Sequence, residues 1–214
     1  MKGKAHIFWC TGMSGSGKST LAEYAKVELE RLGFTVLIVD GDVVREKYDV
    51  QLGFDRKDVE KNNLYVVKLC ENERYNYDAI IVPIISPINT VRSTIRRLLS
   101  PSYHLVYICS DIDTLKKRDT KGLYKKADDG KITNLIGCSK SNPYDIPNDY
   151  DFVFRDHHPQ WGISLDAFQD LASTYAFQSL GKIAWNAGKY TKGISKSLIK
   201  SESILSGRTI GMRV

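Results

Sequence analysis

The chain has 214 residues and a hydrophobic content of 42%, which allows one well-buried domain plus an appendage and argues against two full domains. No apolar run is long enough to cross a membrane, and no signal-peptide hydrophobic region precedes the first strand, so we expect a cytoplasmic protein. The four cysteines are scattered without a C-x-x-C pair, which favours reduced, structural thiols, and the net charge of +6 suits anionic substrates or nucleic acid.

The first motif along the chain is a glycine-rich turn between a predicted strand at 6–10 and a predicted helix at 20–32. The turn matches G-x-x-x-x-G-K-[ST], in which backbone N–H groups surround a phosphate, Lys18 contacts the β- and γ-phosphates and the Ser19 hydroxyl binds Mg²⁺. We therefore predict ATP and Mg²⁺ as ligands, with Ser19 on the metal. The predicted nucleotide contacts are Gly12, Met13, Ser14, Gly15, Ser16, Gly17, Lys18, Ser19 and Thr20.

Two aspartates follow the second predicted strand, at 35–39. Asp40 and Asp42 stand at the carboxyl end of a buried strand, which is the edge where α/β proteins bind ligands. The structural alternatives are a helix cap for Asp40 and a solvated turn for Asp42, but Arg45 three residues further on favours a functional site. A helix is predicted next, at 57–75.

Strands and helices continue to alternate after this helix. They are a strand at 78–85, a helix at 89–99, a strand at 103–108, a short helix at 114–118, a largely mobile lid at about 119–148 with one helical turn, a strand at 152–154 and a final core helix that Ser164 caps. Pro83 cannot donate to a sheet ladder, so we expect the third strand to bulge or end there.

This alternation predicts an α/β fold, a P-loop kinase-type three-layer sandwich with a five-stranded, mostly parallel sheet. We divide the chain into a kinase domain at 1–181, with its lid, and a basic C-terminal appendage at 182–214 that carries most of the excess positive charge. For the appendage, a loosely ordered tail or surface helix is favoured over a nucleic-acid, membrane or self-association element.

A P-loop fixes phosphate binding but leaves the reaction open. Motor and transporter ATPases place an acid after a buried strand to hold the metal, whereas the third strand here ends in Ser86-Pro87, and no guanine-reading N-K-x-D motif follows. Acids after the second strand are typical of small-molecule kinases, in which Asp42 would orient or deprotonate an acceptor hydroxyl. Three basic lid residues would close over the γ-phosphate and exclude water: Lys121, Lys125 and Lys126.

Several separate motifs, in order over residues 5–155, resemble the adenylylsulfate kinase family. They are the phosphate loop, Asp40-Gly-Asp42 with Arg45, Leu52-Gly-Phe54, Ile85-Ser-Pro87, Arg118-Asp119, Lys121-Gly-Leu-Tyr-Lys-Lys-Ala127 and Asn142-Pro-Tyr144. The resemblance implies transfer of the γ-phosphoryl group of Mg-ATP to the ribose 3′-hydroxyl of adenylyl sulfate, a step of sulfate assimilation. It also implies a cytoplasmic homodimer with a small nucleotide acceptor and no nucleic-acid partner.

Site roles are carried over from the family residue by residue. The catalytic residues would be Asp42, beside the acceptor hydroxyl, Lys18 and Ser86, which matches a serine that the family records as a possible phosphoserine intermediate. The alternative for Ser86 is a cap on the next helix. Arg118 would lie by the ATP adenine. The acceptor site would be lined by Asp40, Arg45, Phe54, Asn62, Ile85, Lys121 and Leu135.

The chain also departs from the family pattern. Val43 stands in place of an asparagine, Leu64 and Tyr65 replace paired arginines, and Leu135 replaces the aromatic residue that stacks on the acceptor base. Two alternatives therefore stay open: a related kinase for another nucleotide-linked acceptor, such as a cytidine diphosphate derivative of surface-polysaccharide synthesis, and a non-catalytic ATP-binding module. Candidates to replace the missing arginines lie on the predicted helix at 89–99: Arg92, Arg96 and Arg97.

Overall fold

A computed structural model of the protein describes residues 4–31, 33–46 and 52–155. The chain divides into two compact units, 1–162 and 163–214. The second unit lies outside the described residues, as do the predicted helix from Ser164 and the appendage at 182–214, so the domain boundary at Gly181 stays a prediction. Within the described ranges, no helix is both long and apolar enough to cross a membrane.

The described residues form five strands and six helices. In chain order they are β1 (His6–Thr11), α1 (Lys18–Arg31), β2 (Val36–Ile38), α2 (Gly41–Glu46), α3 (Arg56–Glu73), β3 (Ala79–Pro83), α4 (Asn89–Leu99), β4 (Tyr103–Cys109), α5 (Ile112–Arg118), α6 (Leu123–Asp128) and β5 (Phe152–Arg155).

The five strands make one sheet in the order β2-β3-β1-β4-β5. Every neighbouring pair is parallel, with Trp9 of β1 aligned with Val82 of β3 and with Leu105 of β4. The carboxyl ends of all five strands therefore lie along one edge. The chain leaves β1 in the centre of this edge, which places the glycine-rich turn between the loops that follow β3 and β4.

Helices cover the sheet on both faces because alternate residues of its strands point in opposite directions. Ile7 and Trp9 of β1 belong to a buried cluster with Val66 of α3 and Ile95 of α4. Phe8, on the opposite face of β1, is also buried, and α1 packs on β1, β2 and β3. The predicted three-layer α/β sandwich is thus confirmed, with a sheet that is parallel throughout the described residues.

Pro83 ends the third strand, as expected from its missing N–H group. It is the last residue of β3, although the strand lies inside the sheet between β2 and β1. The next N–H, that of Ile84, donates to the Cys10 carbonyl at 3.0 Å, so the chain leaves the ladder without losing a second bond. The predicted lid contains one short helix, α6, followed by irregular chain to residue 150.

Candidate active site

The glycine-rich turn adopts a conformation that requires its glycines. A β-carbon on Gly12 would lie 2.7 Å from the Ile108 carbonyl oxygen of β4, too close for any side chain. Gly15 and Gly17 have φ of 74° and 92°, in the left-handed region that favours glycine. The turn between β1 and α1 is therefore tightly packed against its neighbours, with N–H groups available to an anion.

Lys18 opens α1, and its side chain folds back over the turn. Its Nζ donates to the Met13 carbonyl at 2.8 Å. Burial lowers the pKa of Lys18 to about 8, and the nearby Asp42 and Asp40 carboxylates oppose that effect. Lys18 is thus a partly desolvated cation at the point where phosphates would sit.

Asp40 links the phosphate turn to the loop after β2. Its Oδ2 accepts a hydrogen bond from the Ser19 hydroxyl at 3.0 Å, and its Oδ1 accepts one from the Asp42 backbone N–H at 2.9 Å. Asp40 therefore fulfils the capping interpretation, because it bonds the first turn of α2, and it also faces Ser19. Hydroxyl and carboxylate oxygens are the ligands that Mg²⁺ prefers, so Ser19 and Asp40 form a donor set that fits this ion.

Asp42 and Lys121 bring the lid to the edge of the sheet. The Lys121 Nζ lies 2.9 Å from the Asp42 Oδ2, although 79 residues separate them in the chain. The bond to Asp42 raises the pKa of Lys121. Both side chains are more than half exposed, so the pair lies open to an incoming substrate.

Arg45, Phe54 and Asn62 gather beside Asp42. The Arg45 guanidinium lies over the Phe54 ring, 4.8 Å from its centre, and donates to the Gly53 carbonyl. Burial lowers the pKa of Arg45, an effect that the Asp42 and Asp58 carboxylates oppose. The Asn62 amide donates to the Gly41 carbonyl at 3.3 Å, from within α3. Arg45 and Phe54 therefore form one wall, on which Phe54 is 51% exposed, whereas the Asn62 side chain is buried, at 1% exposed.

Ser86 is held in an unusual backbone conformation behind the phosphate turn. Its φ is 44°, its side chain is 1% exposed, and its Oγ has no hydrogen-bond partner among the described residues. The N-cap of α4 is Ile88, so the alternative that Ser86 caps this helix is wrong. A covalent role for Ser86 stays a prediction, and it requires the buried hydroxyl to become accessible.

Two of the three arginines of α4, Arg92 and Arg96, have partners elsewhere in the fold, whereas Arg97 is exposed. Arg92 donates to the Ser86 and Asp145 carbonyls, each at 2.5 Å. Arg96 bonds both Asp149 and Asp151. The suggestion that these two arginines replace the missing pair is therefore not supported by the described contacts.

Arg118, Leu135 and Ile85 are the remaining residues that the sequence predicts in the nucleotide and acceptor sites. Arg118 ends α5 and is exposed, and Leu135 is half buried, with its carbonyl accepting the N–H groups of Cys138 and Ser139. The Ile85 carbonyl accepts a hydrogen bond from the Thr11 hydroxyl at 2.5 Å. Their assignments to adenine and acceptor stay predictions.

Two tyrosines of the lid segment contact the phosphate turn and were not predicted as site residues. The Tyr124 hydroxyl donates to the Ser14 carbonyl at 2.7 Å, and the Tyr144 hydroxyl lies 2.9 Å from that of Thr11. Tyr124 belongs to the motif Lys-Gly-Leu-Tyr and Tyr144 to the motif Asn-Pro-Tyr. These motifs are the sequence signal from which the two tyrosines could have been predicted as site residues.

Comparison with known proteins agrees with this geometry. A sequence profile described as adenylylsulphate kinase matches residues 4–155. The adenylyl-sulfate kinase of Bacillus velezensis is 37% identical over 147 residues, 68% of this chain and 74% of that protein. The enzyme of the same name from Clostridium acetobutylicum is 37% identical over 150 residues, 69% of this chain and 72% of that protein.

A solved structure is similar over most of the chain. It is the Mycobacterium tuberculosis APS kinase CysC in complex with AMPPNP and APS, with a TM-score of 0.72 and 25% identity. The match covers 84% of this chain and 98% of that one.

Proposed function

Because the chain belongs to the adenylylsulphate kinase family, we propose that it transfers the γ-phosphoryl group of ATP to the ribose 3′-hydroxyl of adenylyl sulfate. The observation that carries the proposal is the meeting of Lys18, the Asp42–Lys121 pair and the phosphate turn at one edge of the sheet. A non-catalytic ATP-binding module has no need of these groups together. The relatives reported above are named adenylyl-sulfate kinases, which favours this acceptor over cytidine diphosphate derivatives.

The residues of the site divide the reaction between them. The N–H groups of the phosphate turn and Lys18 would hold the β- and γ-phosphates and stabilise the charge that develops during transfer. Asp42 would accept a hydrogen bond from the acceptor hydroxyl and orient it in line with the γ-phosphorus. Lys121 would leave Asp42 and neutralise negative charge on an oxygen of the transferred phosphoryl group. Mg²⁺, held by Ser19 and Asp40, would supply further neutralisation between the phosphates.

The acceptor would lie along the wall formed by Arg45 and Phe54. The exposed Phe54 ring offers a stacking surface for a base, and the Arg45 guanidinium behind it is kept in place by the Gly53 carbonyl. Leu64 is half buried and Tyr65 is 40% exposed on α3, so the residues that replace the arginine pair add no cation here. Within the described residues, Arg45 and Lys121 are two cations near Asp42 that would meet an anionic acceptor.

Three variants test the assignment. Lys18→Ala should lower the rate by roughly 10²–10³, the usual cost of losing a group that stabilises transition-state charge. Asp42→Asn should lower the rate and spare ATP affinity, because Asp42 faces the acceptor. Lys68→Ala, an exposed lysine on α3, is the matched control and should leave the rate unchanged. Wild-type turnover in Lys18→Ala would contradict the role of the phosphate turn.

A screen of acceptors tests the substrate. ATP consumption would be measured with adenylyl sulfate, cytidine diphosphate derivatives and simple nucleosides, and the phosphorylated position would be located by NMR. We expect turnover with adenylyl sulfate and a new phosphate on its 3′-oxygen. Turnover of another acceptor alone would replace the proposed substrate while leaving the kinase assignment intact.

The assembly, location and appendage belong to the same proposal. We propose a cytoplasmic homodimer whose catalytic unit ends at Gly181. The family match ends at residue 155, which supports a separate role for residues 182–214. A chain truncated after Gly181 should keep its kinase activity, and light scattering should give the mass of a dimer. Loss of folding on truncation would place the appendage in the core.

A further inference from the structure

The lid segment, residues 119–148, makes three contacts with the end of β1 and the phosphate turn that follows it. The Tyr124 hydroxyl donates to the Ser14 carbonyl at 2.7 Å. Gly137 packs so closely on the Met13 side chain that a β-carbon would overlap its sulfur. Tyr144 completes the set through the Thr11 hydroxyl. The lid is therefore joined to two residues of the turn, Met13 and Ser14, and to Thr11 immediately before it.

Tyr124 is the contact that reaches the backbone of the turn itself. Its side chain is 2% exposed, and its backbone N–H donates to the Asp119 carboxylate at 3.1 Å. The Lys125 N–H donates to the same carboxylate at 2.9 Å. Because Asp119 fixes the first turn of α6, the hydroxyl of Tyr124 is delivered to Ser14 in a defined position.

The bond to the Ser14 carbonyl also fixes the direction of the next N–H group. A peptide unit is planar and trans, so its carbonyl and its N–H point in opposite directions. With the Ser14 carbonyl turned to Tyr124, the N–H of Gly15 points to the other side of the same peptide unit. Gly15, with φ of 74°, has no β-carbon to restrict its backbone, so an external contact is needed to hold this orientation.

We propose that Tyr124 is a positioning residue for ATP: its hydroxyl, by holding the Ser14 carbonyl, presents the Gly15 N–H to the nucleotide phosphates. Tyr124 itself does not touch the nucleotide in this arrangement. The inference rests on the proposed use of ATP, because it assigns the anion that the N–H meets. It makes ATP affinity depend on the docked position of the lid.

The decisive variant is Tyr124→Phe, which removes only the hydroxyl. We expect the dissociation constant for a non-hydrolysable ATP analogue with Mg²⁺ to rise roughly 3- to 10-fold, the value of one hydrogen bond. The KM for ATP should rise similarly, and the KM for adenylyl sulfate should stay within about twofold. A role in folding alone would lower the amount of active protein and kcat without changing the affinity of the folded fraction.

Tyr103→Phe is the matched control. Tyr103 lies on β4, is 4% exposed, and its hydroxyl has no hydrogen-bond partner among the described residues. The Tyr103→Phe variant therefore loses a buried hydroxyl without losing a hydrogen bond. Its affinity for the ATP analogue should equal that of the wild type.

Binding of the analogue is measured by titration calorimetry on the full chain. An unchanged dissociation constant in Tyr124→Phe would overturn the inference, as would an equal rise in Tyr103→Phe. Failure of the wild type to bind the analogue would overturn the proposed ATP use and the inference with it. Failure of the inference alone appears only in the variants, so the two are distinguishable.

Discussion

Arg92 should be the most costly arginine of α4 to remove. Its guanidinium donates to the Ser86 carbonyl, the Asp145 carbonyl and the Asn89 side chain, and lies 5.7 Å from the centre of the Tyr144 ring. The side chain is 1% exposed, and burial lowers its pKa. Arg92 thereby joins the loop after β3 to the C-terminal part of the lid.

The size of the effect follows from the acceptors that Arg92→Met would leave behind. The Ser86 carbonyl keeps a contact with the Thr11 hydroxyl, at 3.3 Å, whereas the Asp145 carbonyl and the Asn89 side chain lose the bond from Arg92. Each buried acceptor left without a partner costs about 1–3 kcal/mol. Since Asn89 is partly exposed and can turn to water, the Asp145 carbonyl is the main loss, and we expect the free energy of unfolding to fall by about 1–3 kcal/mol.

Two neighbouring arginines provide matched controls for this variant. Arg96→Met removes bonds to the partly exposed Asp149 and Asp151 and should cost about 1 kcal/mol. Arg97→Met changes an exposed side chain and should stay within about 0.5 kcal/mol. The assay is urea unfolding followed by circular dichroism. A loss for Arg92→Met no larger than that for Arg96→Met would refute the reasoning.

The other predictions concern pH and the Asp42–Lys121 pair. Burial lowers the pKa of His104 to about 4, so between pH 6.5 and 4 the unfolded chain binds more protons than the folded chain. The free energy of unfolding should therefore fall by up to about 3 kcal/mol as the pH drops through that window. His104→Gln should flatten this dependence of the free energy of unfolding on pH. Burial lowers the Lys18 pKa to about 8, and phosphates bind the charged form of lysine, so the affinity for the ATP analogue should fall about tenfold per pH unit above pH 8. A dissociation constant that calorimetry finds independent of pH would contradict this. Lys121→Met should lower the rate by roughly 10²–10³ and change the free energy of unfolding by less than about 1 kcal/mol, since the pair is exposed. If the urea assay showed a loss of folded protein large enough to account for the whole loss of rate, Lys121 would be a structural residue.

The regular elements could be predicted from the sequence because their burial is periodic. In α3, Val59, Asn63, Val66 and Cys70 recur at helical spacing, and all four are buried. Local chemistry also placed the end of β3, since the missing N–H of Pro83 is a property of that residue alone. Periodicity and residue chemistry act over a few residues, which is the range that a single sequence displays.

The lid and the arginines could not be predicted in the same way. The chain from 130 to 150 is irregular, so burial of Ile136 and Asn142 leaves no repeating pattern. Arg96 meets acids more than 50 residues further along the chain, and a solvated helix face would have the same sequence. The Ser86 carbonyl likewise accepts a hydrogen bond from Thr11, 75 residues away, a contact that the local sequence does not display.

The charged groups of the site differ in how far they are removed from water, and this difference affects both the stability of the fold and the proposed reaction. Asp42 and Lys121 neutralise each other at the surface, whereas Lys18 bonds a neutral carbonyl and has a pKa lowered by burial. The fold therefore carries the cost of desolvating Lys18 before any substrate arrives. A desolvated, fixed cation interacts with phosphates more strongly than a hydrated one, because no water must be reorganised during transfer. In the proposed mechanism, the buried cation Lys18 is thus the group that would stabilise the transferred phosphoryl group.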